Sequence, residues 1–189
     1  MRNFIILILI FSYSFSKPLV RTNYKYYNIY PTNIHNLEKS MDDSSPILSF
    51  GSVRHGTVSW KIAYMYKRER KNGICKISAT KTKVDVLYHV PKISKTHKSP
   101  KGTRRVFNRY YSILKDYLKK HSDFAVQAAQ EIEEQLLLIN PKNNDCEELK
   151  KDAKRTASFI IKKYKKKNKD YEIRTYEGFL EGVRSEKLL

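Results

Sequence analysis

The chain has 189 residues, with 38 Lys and Arg against 19 Asp and Glu, a formal net charge of +19, and two cysteines. That length favours one domain with a real core. Beyond residue 16 no stretch is apolar enough to span a bilayer, which excludes a membrane-spanning design there; the excess of cations attracts anionic partners without defining a site for them.

Met1-Arg2-Asn3 supplies a positive charge, Phe4 to Phe11 is an unbroken apolar run, and Ser14-Phe15-Ser16 offers small residues at both positions a signal peptidase reads. That order is the secretory signal pattern. The run is too short for a spanning helix, which needs roughly 20 residues. The expectation is a signal peptide over residues 1–16 and a single secreted or periplasmic domain over 17–189, with no membrane span after cleavage. An uncleaved N-terminal anchor is the alternative.

In an oxidising compartment an isolated pair of cysteines usually bonds, so Cys75 and Cys146 are expected to form a disulfide. Closing so long a loop stabilises a fold by about 4 kcal/mol in the chain-entropy model. Neither cysteine has a second Cys or His at ligand spacing, which argues against zinc bound by these two.

Tyr24 to Tyr30 alternates aromatic and polar residues and reads as a first strand. Thr32 is the expected N-cap of a short helix carrying Ile34, Leu37 and Met41, which ends near Asp42-Asp43-Ser44-Ser45-Pro46. Gly51 and Gly56 bracket a turn containing His55. Val58, Trp60, Ile62, Tyr64 and Tyr66 then fall on one face of a strand by strict alternation. Asn72-Gly73 signals a hairpin turn. After it Ile74, Lys76, Ser78 and Thr80 share one face, Cys75, Ile77 and Ala79 the other, and Val84, Val86, Tyr88 and Val90 continue the strand up to Pro91. Residues 91–102, with two prolines, a glycine and four lysines, read as an exposed connector.

From Thr103 the period becomes helical. Val106, Tyr110, Ile113, Tyr117, His121, Phe124, Ala128, Ile132, Leu136 and Ile139 recur every three or four residues. Such a helix would reach about 55 Å, with a bend near Ser122-Asp123 as an option. Asn140-Pro141 ends it. Asn144 or Asp145 caps a second long helix with the stripe Leu149, Ala153, Thr156, Ile160 and Tyr164, and an irregular tail follows Lys169. Strands followed by helices predict an α+β fold, a small antiparallel sheet packed on two long helices.

Lys162, Lys163, Lys165, Lys166, Lys167 and Lys169 form a run in the second helix with one interleaved aromatic. It reads as a solvated helix end, where cations suit the helix dipole; binding an anionic surface is the alternative. No base-reading motif appears, so no specific nucleic-acid partner is expected. His35, His55, His89 and His97 have no Cys, His or carboxylate partner at motif spacing and read as surface or strand residues.

His121 differs, because it lies on the apolar stripe of the long helix. It is either a satisfied core histidine or a ligand facing a pocket. Residues at i and i+4 share a helix face, the geometry by which a His-Glu-x-x-His helix holds zinc and sets a glutamate beside the metal-bound water.

From Tyr27 to its end the chain resembles the bacterial family of predicted secreted zinc-dependent proteases. The likeness runs through Gly56-Thr57-Val58-Ser59-Trp60, the cysteine after the hairpin turn, Pro91, the aromatic helix and the alanine-rich stretch after it, and Cys146. It closes on Tyr171-Glu172-Ile173-Arg174-Thr175-Tyr176-Glu177-Gly178, similar to the family's Tyr-Asp-x-x-Thr-x-His-Gly. In the register set by Phe124-Ala125-Val126-Gln127-Ala128-Ala129, the His-Glu-x-x-His motif falls on Tyr117-Leu118-Lys119-Lys120-His121. Only the last histidine remains. Leu118 stands at the general base, Tyr117 at the first ligand and Glu177 at the closing histidine. Sliding the motif to start at His121 places Ser122 and Ala125 at the glutamate and second histidine.

A hydrolytic zinc takes about three protein ligands and one open position, and losing general-base catalysis alone costs roughly 10²- to 10⁴-fold. The resemblance therefore implies a zincin-like fold without protease chemistry. It assigns no catalytic role to Tyr117, Leu118, His121 or Glu177 and requires no cofactor. The expected partner is an unknown protein or an anionic surface outside the cytoplasm. Zinc on His121 and Glu177 belongs to the alternative, an active peptidase with an unorthodox site.

Overall fold

A computed structural model of the chain describes residues 17–49, 51–140 and 145–183. The signal-peptide expectation for residues 1–16 and the Asn144 cap lie outside the described residues. The elements in chain order are β1 (Leu19–Ile29), α1 (Leu37–Ser44), β2 (Leu48–Ser49), β3 (Ser52–Val53), β4 (Thr57–Lys71), β5 (Ile74–Ile93), α2 (Lys101–Leu137) and α3 (Cys146–Arg174). The class is α+β, with a small sheet packed on two long helices.

The hairpin from β4 to β5 turns on Asn72 and Gly73, with φ of 53° and 78°. Positive φ at both central residues suits the right-handed twist of the flanking strands, and Asn-Gly supplies it at little steric cost. Along β4 the partly buried residues are Val58, Trp60, Ile62, Tyr64 and Tyr66, as the alternation requires.

β5 corrects the two-face expectation. Lys67 pairs with Ala79 and Arg68 with Ile77, which leaves Ser78 as an extra residue, a β-bulge. Cys75 and Ile77 are buried before it, whereas Thr82, Val84, Val86, Tyr88 and Val90 are buried after it. One inserted residue thus moves the buried set from odd to even positions and keeps the whole strand facing the helices.

The sheet order is β1-β5-β4, and the sheet is mixed rather than wholly antiparallel. β1 pairs with β5 in parallel, from Leu19 opposite Lys83 to Ile29 opposite Ile93. The chain leaves β1 beside Ile93 and enters β4 at Thr57, opposite His89, so α1 and its loop return it to the same end of the sheet. β5 inserts between the two. It also runs through Pro91 to Ile93, where the expected connector began, because the β4 pairing has already stopped at His89. A proline is tolerated where only one neighbouring strand remains.

The N-cap position of α1 is Asn36, not Thr32, and the Asn36 side chain makes no capping bond to the helix. The Thr32 and Asn36 amides donate to the Asn36 and Asn33 side-chain oxygens at 3.2 and 2.8 Å, so local side-chain turns occupy residues 32–36 before the helix begins. α2 is continuous through Ser122 and Asp123. Asp145 caps α3 by accepting from the Glu147 amide at 2.9 Å. α3 continues to Arg174 where an irregular tail after Lys169 was expected, because Tyr171 is buried against the α2 aromatics.

Two apolar clusters meet along α2. One gathers Ile29, Met41, Val86, Tyr110, Leu114 and their neighbours; the other gathers Ile77, Ile132, Leu149, Ile160 and theirs. Ile62 and Phe124 pack against both. A Cys75–Cys146 disulfide ties the start of β5 to the start of α3 in the second cluster. The buried Glu133 accepts from the Thr82 amide at 2.6 Å and its hydroxyl at 2.7 Å, anchoring α2 to β5 through a polar contact inside the apolar layer.

Candidate functional site

A cleft of about 660 Å³ opens where the middle of α2 meets the last turns of α3, and both resembling segments line it. α2 contributes Tyr117 and His121, which share a face at i and i+4, with Leu118 beside them. α3 contributes Asn168 and Glu172, also four residues apart; Glu177 comes from the turn after α3, and Arg54 and His55 from the segment before β4. The structure thus brings Tyr117, Leu118, His121 and Glu177 to one cleft.

His121 is only 6% exposed. Its Nδ1 lies 2.8 Å from the Asn168 side-chain oxygen. With that oxygen as acceptor, Nδ1 carries the proton and Nε2 keeps a lone pair. Burial lowers the His121 pKa, partly opposed by the Asn168 bond and the nearby Glu172 charge. The result is a neutral, oriented imidazole packed edge-on between the rings of Tyr117 and Tyr171, at 4.6 and 5.1 Å. Burial pushes the Tyr117 phenol up to about 12, against a lowering hydrogen bond from Thr175, so it stays protonated near neutrality.

Glu177 is held by an arginine. An Arg54 Nη forms an ion pair with the Glu177 carboxylate, and the other Nη donates to the Glu177 carbonyl at 3.2 Å. The buried Arg54 Nε has no hydrogen-bond partner among the described residues. Tyr176 and Glu177 both have left-handed φ, 47° and 58°, followed by Gly178 at 91°. Side chains at such φ are disfavoured, so tertiary contacts must hold this turn. Arg54 supplies one, and Tyr110 donates to the Val183 carbonyl at 2.9 Å to supply another.

The surface reading of His55 is corrected. Its Nε2 lies 2.8 Å from the Asp42 carboxylate and its Nδ1 2.5 Å from the buried Tyr110 hydroxyl. The Tyr27 hydroxyl donates to its carbonyl at 2.8 Å. Asp42 is thirteen residues upstream, outside any motif spacing, and only the return of the chain through α1 brings it there.

None of the lysines at 162, 163, 165, 166, 167 and 169 lines the cleft, whereas Asn168, inside the same run, does. Lys163 instead bonds Glu131 at 2.7 Å, and Lys167 lies over the Tyr164 ring at 4.5 Å. The one signal for Asn168 in the sequence is that it interrupts the run on the buried side of the helix. Arg54 carried no such signal. Among the described residues, no group of three His, Cys, Asp or Glu side chains converges as a metal site, and no helix is long and apolar enough to cross a membrane.

Fold and site define an α+β protein with a polar cleft built across two long helices. Residues 24–178 match the family described as bacterial protein of unknown function (DUF922), and the chain belongs to that family. No curated protein and no solved structure matches the chain.

Proposed function

We propose that the protein is an exported, non-catalytic relative of secreted zinc-dependent proteases that acts by binding a protein or a surface outside the cytoplasm. The ion pair between Arg54 and Glu177 carries this reading. In the family register Glu177 replaces a histidine ligand, and here its carboxylate is bound by a fixed cation. Zinc does not fit such a donor set. Leu118 offers no atom to act as base, Tyr117 stays a neutral phenol, and a metal on Glu177 would have to displace a guanidinium already seated there. What remains is a cleft with an aromatic wall and fixed polar groups, suited to hold a polypeptide without cutting it.

One observation favours the second reading, an active peptidase with an unorthodox site. Asn168 orients His121 as an outer partner orients a metal-ligating or basic imidazole. The two readings separate in one assay. The chain, incubated with casein with and without added zinc, is expected to bind it and leave it intact, and His121→Ala is expected to weaken binding. Hydrolysis abolished by a chelator, restored by zinc and lost in His121→Ala would establish the second reading. The export part is tested by the intact mass of exported protein, expected to begin at Lys17. A full-length, membrane-embedded product would overturn it.

A further inference from the structure

We propose that the outward face of α3 docks the protein onto an anionic lipid surface. The proposal concerns a face away from the cleft and does not depend on what the cleft does. Leu149, Ala153, Ala157, Ile160, Tyr164 and Tyr171 are the buried stripe of α3. Directly opposite, Arg155, Phe159, Lys162, Lys166, Lys169 and Ile173 recur at alternating steps of four and three, so they form a single line along the helix. That line runs about 27 Å.

Its composition points to lipid. Between Ala153 and Lys169 there are seven Lys, one Arg and no acidic residue. Phe159 and Ile173, large apolar side chains, stand 69% and 62% exposed within this basic line. A solvated helix end explains the lysines, but it gives no reason to hold an aromatic and a β-branched side chain in water. A helix lying in the headgroup region accounts for both, with apolar side chains entering the acyl boundary and long lysines reaching anionic headgroups.

Two acids border the line, Asp152 paired with Arg155 and Asp170 bonded to Lys166 at 2.9 Å. Exposed pairs of this kind hold weakly and open to a competing anion. A nucleic acid would satisfy the lysines but offers Ile173 nothing, which is why a lipid surface fits better than a polyanion.

The test is co-sedimentation of the full chain with vesicles of phosphatidylcholine alone and of equal parts phosphatidylglycerol and phosphatidylcholine. Variants are made in the same full chain, so residues 1–16 are common to all. Binding is expected only to the anionic vesicles and to weaken with salt. Lys162→Gln/Lys166→Gln/Lys169→Gln should lower affinity roughly a hundredfold, and Phe159→Ser/Ile173→Ser roughly tenfold or more. All five positions are outward-facing, and circular dichroism confirms that the variants fold. Equal binding to both vesicle types, or anionic binding untouched by either variant, overturns the proposal. So does tighter binding to duplex DNA than to anionic vesicles with no effect of Phe159→Ser/Ile173→Ser, which would make the face a polyanion site.

Discussion

The His121 Nδ1 and the Asn168 side-chain oxygen lie 2.8 Å apart, and this contact ties the middle of α2 to the last turns of α3. It joins a buried histidine on the apolar stripe of α2 to a residue inside a lysine run. The contact has consequences for stability as well as for the cleft, since His121 is buried and oriented at once.

The first consequence is a pH dependence. Burial sets the folded-state pKa of His121 below its ordinary value of 6.5. A depressed pKa means that the unfolded chain binds the proton more readily. The contribution of His121 is therefore complete above about pH 6.5 and is lost as pH falls toward the folded value. Urea denaturation between about pH 5 and 8 should show stability falling on the acid side, with a smaller slope in His121→Gln. An unchanged slope would mean that His121 is not the group responsible.

Asn168→Leu removes the acceptor at Nδ1 and leaves a buried N–H unpaired. A loss of about 1–3 kcal/mol is expected. Asn168→Asp, which keeps an acceptor and adds a charge beside the imidazole, should instead raise the His121 pKa, read by its NMR titration.

Glu133 is a buried carboxylate in the core with two contacts to Thr82. Glu133→Ala strips the Thr82 amide and hydroxyl of their shared acceptor inside the α2–β5 layer. The expected cost is about 2–4 kcal/mol by denaturant unfolding. Glu133→Gln keeps an oxygen and should recover most of it. An alanine variant within about 0.5 kcal/mol of the parent would contradict this role.

The disulfide closes a sequence separation of 71 residues. Cys75→Ser/Cys146→Ser should lower stability by about 2–5 kcal/mol. Adding reductant to the parent should give a similar loss and leave the double variant unaffected. A parent insensitive to reductant, with two free thiols on non-reducing peptide mapping, would show that the bond does not form.

Gly178 combines a φ of +91° with tight quarters. A Cβ there would sit 3.0 Å from Val183 and 3.1 Å from the Tyr117 ring. Gly178→Ala is expected to cost about 1–3 kcal/mol through backbone strain and displaced side chains. It should also loosen the Arg54–Glu177 pair, which a double-mutant cycle of Arg54→Ala and Glu177→Ala would read as reduced coupling in the Gly178→Ala background.

Much of this architecture was legible along the chain. The alternation from Val58 to Tyr66, the Asn72-Gly73 turn and the long apolar stripe around His121 are local periods, set by backbone geometry that neighbouring residues impose on one another. The approach of His121 to Tyr117 and Glu177 was expected from helix spacing and the order of the resembling tail; that Leu118 lines the same cleft was not. Only tertiary structure decided the parallel pairing of β1 with β5 and the bulge at Ser78, because strand partners are chosen across the fold and one inserted residue leaves no periodic trace. The same holds for His55 with Asp42 and Tyr110, and for Arg54 with Glu177, whose backbone contact joins residues 123 positions apart. Residue type says that an arginine needs an anion; which of the chain's carboxylates it meets depends on where α1 returns the strand and where α3 stops.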